Sequence, residues 1–71
     1  MTFDCDNLKK QIEAEFNKIK KAAAPTGNIT DEMVFNSKFN DLVELAKQRC
    51  NTIYTIEYQS GGYVLVAKSY P

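Results

Sequence analysis

Few residues in this chain are of a type that does chemistry, and their spacing decides which chemistry is open to them. Cys5 and Cys50 are the only cysteines. Each lies about twenty residues from the break at 24–28, one before it and one after. In an antiparallel helical hairpin they come level with each other. A disulfide there would close a long loop and add roughly 4 kcal/mol through chain entropy. The alternative is a pair of reduced thiols acting as small core residues. A cytosolic setting favours the thiols and an exported one favours the disulfide. A cysteine nucleophile is not expected, because the chain has no His to serve as base and no Cys-x-x-Cys spacing.

Other chemistries find less support. Asp4, Cys5, Asp6 and Cys50 are the one set a metal could use, but they match no common zinc spacing. Hard carboxylates mixed with soft thiols also suit no single metal well. Asp31 with Glu32 fits the start of a helix, and Asp41 with Glu44 fits a solvated helix face. Neither pair lies in an apolar setting that would tune it for acid–base work. Lys9, Lys10, Lys18, Lys20 and Lys21 could meet phosphates, but Glu13 and Glu15 interleave with them and the formal net charge is zero. Gly61-Gly62 joins two strand patterns and opens no helix, so it is not a phosphate loop. Asn28-Ile29-Thr30 matches a glycosylation sequon, which Thr30 explains equally well as a helix cap. The expectation is a chain that is no enzyme and takes no cofactor, with nucleic acid a less favoured partner than protein.

Length and composition set the frame for these residues. Seventy-one residues allow one small domain, 1–71. A hydrophobic fraction of 44% with 25% charged residues is that of a soluble globular chain and too apolar for a disordered one. No apolar run approaches the ~20 residues of a membrane span. Met1 is followed by neither a basic region nor an apolar one, so no signal peptide is read and the cytoplasm is the default compartment. An exported or periplasmic setting replaces it if Cys5 and Cys50 are bonded.

The elements that would hold these groups follow from periodicity. Residues 4–24 read as a first helix, capped by Asp4 or Asp6, with Cys5, Leu8, Ile12, Phe16, Ile19 and Ala23 on one narrow face. Phe3 is placed to staple its start. So narrow an arc suits a helix with one neighbour. Pro25 and Gly27 end it. Residues 30–50 read as a second helix beginning at Thr30, with Asn36-Ser37 as a rival start that would leave 30–36 as a separate turn. Phe35, Phe39, Leu42, Val43, Ala46 and Cys50 form its stripe, and Val34 and Leu45 widen it. The wider arc places this helix at the centre, with the first helix on one side and the rest of the chain on the other.

The remainder reads as a β-hairpin. Residues 52–59 and 62–69 are rich in β-branched and aromatic types, and Ser60-Gly61 or Gly61-Gly62 can make the turn. Alternation puts Tyr54, Ile56, Tyr58, Tyr63, Leu65 and Ala67 towards the second helix. Ile53, Thr55, Glu57, Val64, Val66, Lys68 and Tyr70 share the other face. The fold class is therefore α+β in the order α-α-β-β, an antiparallel helical hairpin packed on one face of a C-terminal β-hairpin. Little room is left for a cavity of a few hundred Å³.

Function is read from the face this fold leaves bare. Ile53, Glu57, Val64, Val66, Lys68 and Tyr70 form a candidate protein-binding surface, beside two strand edges with unpaired backbone groups. The expected role is a non-catalytic protein-binding module of inhibitor, adaptor or immunity type. Its partner would be another protein or a second copy of the chain. Two alternatives remain: a nucleic-acid-binding regulator using the first-helix lysines, and an exported envelope domain stapled by Cys5 and Cys50.

Overall fold

The computed structural model describes residues 3–69. Five elements follow one another: α1 (Cys5–Ala23), α2 (Asp31–Phe35), α3 (Lys38–Arg49), β1 (Thr52–Gln59) and β2 (Gly62–Ser69). The helices pack against one face of a two-stranded antiparallel sheet, which is the expected α+β arrangement. Tyr70 lies outside the described residues.

The start of α1 is fixed by Asp4, whose carboxylate accepts a hydrogen bond from the Asn7 N–H at 3.0 Å. That satisfies one of the donors a helix leaves orphaned at its first turn. Leu8, Ile12, Phe16, Ile19 and Ala23 are buried, and Ile12 is fully so at 0% exposure. The helix stops where Gly27, with φ +76°, turns its N–H back onto the Ala23 carbonyl at 2.7 Å. A positive φ costs glycine nothing, and Pro25 just before it could not have continued the helix. The narrow arc nevertheless serves two neighbours, because α1 packs on α3 and also reaches β2. Phe3, just before the helix, lies 5.7 Å from the Arg49 guanidinium, a cation–π contact across to the end of α3.

The second helix is divided, and the Ser37 start is the one the chain adopts. The Thr30 hydroxyl caps α2 by accepting from the Met33 N–H at 3.2 Å. Ser37 then interrupts the helix in two ways. Its hydroxyl donates to the Val34 carbonyl at 2.7 Å and accepts from the Phe39 N–H at 3.2 Å, so it closes α2 and caps α3 with one side chain. The apolar stripe drawn through 30–50 breaks with it. Phe39 remains buried, whereas Phe35 is 76% exposed. The α2 helix leans chiefly on α3 and makes no comparable contact with the sheet.

Passage from α3 to β1 takes two residues, Cys50 and Asn51. Asn51 has φ 50°, a left-handed conformation that Asn tolerates better than most side chains. The Thr52 hydroxyl steadies the junction by donating to the Cys50 carbonyl at 2.9 Å. The strands then pair from Thr52 opposite Ser69 to Gln59 opposite Gly62. Ser60 and Gly61 form the loop with φ 43° and 83°, the pair of positive angles that a type I′ turn requires. This register puts Tyr54, Ile56, Tyr63 and Leu65 against a core of Leu8, Ile12, Phe16, Ile19, Phe39 and Ala46. Tyr63 also anchors the loop after α1, since its hydroxyl accepts from the Ile29 N–H at 3.1 Å. Tyr58 and Ala67 share the helix-facing register but are exposed, so neither is covered by the helices. Tyr58 is 63% exposed and rests edge-on against Tyr63, ring centroids 5.0 Å apart.

Candidate functional site

The bare face of the hairpin is set by the register. Ile53 stands opposite Lys68, Thr55 opposite Val66 and Glu57 opposite Val64. Side chains directly opposite in a ladder lie on the same face, so these six form one surface. Ile53, Val64 and Val66 are not among the residues packed on the core; Val64 is 36% exposed, while Ile53 and Val66 are half-buried. Glu57 accepts from the Thr55 hydroxyl at 3.5 Å and from the Gln59 amide at 3.2 Å, which holds its carboxylate within the face. Lys68 is exposed at the end of β2. The face is therefore a short apolar band with an acid towards the turn and a base towards the strand ends. Tyr70, also assigned to it, lies outside the described residues.

The two cysteines are brought together. Their Cα atoms are 5.9 Å apart, and the sulfurs lie at disulfide distance. They join the first residue of α1 to the residue that ends α3, the level pairing that two antiparallel helices impose. The environment differs from the inward stripes drawn for them. Cys5 is exposed and Cys50 only half-buried against the core. A cleft of about 160 Å³, lined in part by Lys9, Ala46 and Thr52, opens onto both. Among the described residues, no three Cys, Asp or Glu side chains are grouped closely enough to hold a metal ion.

The lysines of α1 are dispersed rather than gathered. All five are exposed, Lys18 pairs with Glu15 at 2.9 Å, and Lys20 lies 5.3 Å from the Phe16 ring centroid. Of the carboxylates, Asp41 and Glu44 are on the open side of α3, and Asp31 and Glu32 are in the first turn of α2.

A groove of about 400 Å³ runs between α2, α3 and β1, against the expectation that this architecture leaves no such space. It exists because the chain breaks at Ser37 and α2 stands off from the strand. The sequence carried a signal for it in the Asn36-Ser37 cap, which competes with a continuous helix.

Among the described residues no helix is long and apolar enough to cross a membrane. Comparison with protein families, with curated proteins and with solved structures finds no match.

Proposed function

We propose that the chain is a small non-catalytic protein-binding module that acts through the outer face of its hairpin by occluding a partner's surface. The observation that carries this reading is the bare apolar band of Ile53, Val64 and Val66. These are β-branched residues on the sheet face turned away from the core, Val64 exposed and Ile53 and Val66 half-buried. The helices cover the other face, and association with another protein or a second copy would cover this one. The charged residues at either end, Glu57 and Lys68, give such a contact a direction. Inhibitor, adaptor and immunity-type roles all use a rigid face in this way.

The nearness of Cys5 and Cys50 supports a second reading of the setting, an exported domain whose helices are stapled at one end.

The test is affinity capture with the purified chain, run beside Val66→Glu and Lys10→Glu. Val66→Glu places a charge in the band, whereas Lys10→Glu alters an exposed position on α1. Loss of the captured partner, or of self-association in sedimentation, with Val66→Glu alone is the expected result. A partner retained equally by both variants overturns the assignment to this face. A partner lost only with Lys10→Glu, and released by salt, transfers the function to the α1 lysines.

A further inference from the structure

The groove beside β1 is a separate surface from the hairpin's outer face, and it is shaped for a different kind of contact. We infer that it receives an extended peptide segment of another protein, added as a strand to the free edge of β1, with apolar side chains entering the groove and a lysine or arginine meeting Asp31.

Three observations support this. The groove is lined by Tyr54, Thr55 and Ile56, three successive strand residues, so it reaches the backbone edge of β1 and not merely one of its faces. Among the described residues, the sheet order leaves that edge unpaired. In an antiparallel ladder bonded and non-bonded pairs alternate, and the pair closing a two-residue turn, here Gln59 with Gly62, is a bonded one. Thr55 and Glu57 therefore bond to β2, while the backbone N–H and C=O groups of Tyr54 and Ile56 point outward along the groove. An added strand would pair with those groups.

The opposite wall is apolar. Val34, Phe35, Phe39 and Val43 face the strand, and Phe35 is 76% exposed although it is aromatic. A strand laid on the β1 edge sends alternate side chains towards this wall, where they cover Phe35. Asp31 is the sole charged residue lining the groove among those described, so a cationic side chain complements it. A second copy is the poorer occupant. Pairing β1 with β1 would bring two α2 helices together, each with Asp31 and Glu32 in its first turn and no basic residue in its last.

The experiment uses the full chain, isotope-labelled, titrated with three capped octapeptides and followed by NMR. The first alternates valine and threonine and carries a lysine at each end. The second carries glutamates in their place. The third is the lysine peptide with alternate backbone amides N-methylated, so that it cannot pair along an edge. The expected result is saturable shifts of the Tyr54 and Ile56 amides with the lysine peptide, tenfold or greater weakening on N-methylation, and weaker binding of the glutamate peptide. Asp31→Asn should weaken the lysine peptide about two- to fivefold, the span of an exposed ion pair, and should not weaken the glutamate peptide. Phe35→Ala, at an exposed position whose loss leaves the core intact, should weaken both. No saturable shift with any peptide overturns the inference, as does undiminished binding of the N-methylated one. Shifts confined to Val64 and Val66 would assign peptide capture to the outer face instead. Line broadening at the β1 edge that grows with protein concentration alone would show a second copy as the occupant. Val66→Glu should leave the lysine-peptide titration unchanged, which separates this inference from the reading of the outer face.

Discussion

Breaking the link between Cys5 and Cys50 should remove a large share of the domain's stability. The residues are separated by 45 positions. For a loop of that size the chain-entropy relation gives about 4 kcal/mol at 25 °C, which the crosslink withholds from the unfolded state. A chain of 71 residues has a total stability of roughly 4–11 kcal/mol by the usual per-residue range. The link therefore stands for a third of that or more. At about 4–8 °C per kcal/mol, reduction should lower Tm by roughly 15–30 °C. The assay compares urea unfolding of the oxidised chain, the chain treated with a phosphine reductant, and the Cys5→Ser/Cys50→Ser double variant. The reductant should reach the sulfurs without prior unfolding, because Cys5 is exposed and a cleft opens onto both residues. Serine at the exposed Cys5 position buries no new hydroxyl and at the half-buried Cys50 position only part of one, so the double variant should match the reduced chain to within about 1–2 kcal/mol. Intact mass before and after alkylation reports whether the bond is present at the outset. An oxidised chain less than about 1 kcal/mol more stable than either reference would refute the reasoning, because the loop term would then be offset by strain or by structure persisting in the unfolded chain.

Two further substitutions probe the core and the turn. Ile12→Ala removes the one fully buried side chain of α1 and should cost about 2–5 kcal/mol in urea unfolding, since neighbours on α3 and the sheet cannot all close on the gap. Ser60→Asn should raise stability by a few tenths to about 1 kcal/mol, because Ser60 holds φ 43° in a type I′ turn where Asn followed by Gly is the preferred pair; a decrease would show that the turn is not of that type.

What could be read from the sequence depended on how local its cause was. Both strands follow the expected boundaries, because β-branched and aromatic residues crowd 52–59 and 62–69 and a Ser-Gly-Gly stretch separates them. The register follows from the turn, and with it the sorting of Tyr54, Ile56, Tyr63 and Leu65 from Ile53, Val64 and Val66. The α1 stripe was legible for the same reason, since Leu8, Ile12, Phe16 and Ile19 repeat at one helical face. The break at Ser37 is of another kind. Apolar residues at 34, 35, 39, 42 and 43 keep helical spacing across it, so periodicity cannot register the interruption. The decision rests on one hydroxyl that serves two backbone groups at once, and a propensity sum does not weigh that. Phe35 was assigned to the core on the strength of spacing, and its exposure follows from the break.

The same break ties the two candidate surfaces together. A chain this short cannot bury both faces and both edges of a sheet, so something must stay bare. A single helix over 30–50 would have carried Phe35 on the same continuous stripe as Phe39, and the groove would not have formed. Dividing it at Ser37 gives up helix continuity and leaves β1 open along its edge as well as on its outer face. Stability must then come from elsewhere: from the α1 stripe, from the Tyr63 anchor on Ile29 and, where the sulfurs are bonded, from a Cys5–Cys50 link. The link closes a loop that contains α1, α2 and α3 but excludes the hairpin. The outer face and the β1 edge are thus not made of residues such a link would constrain, and β1 is backed by α3 on its helix-facing side.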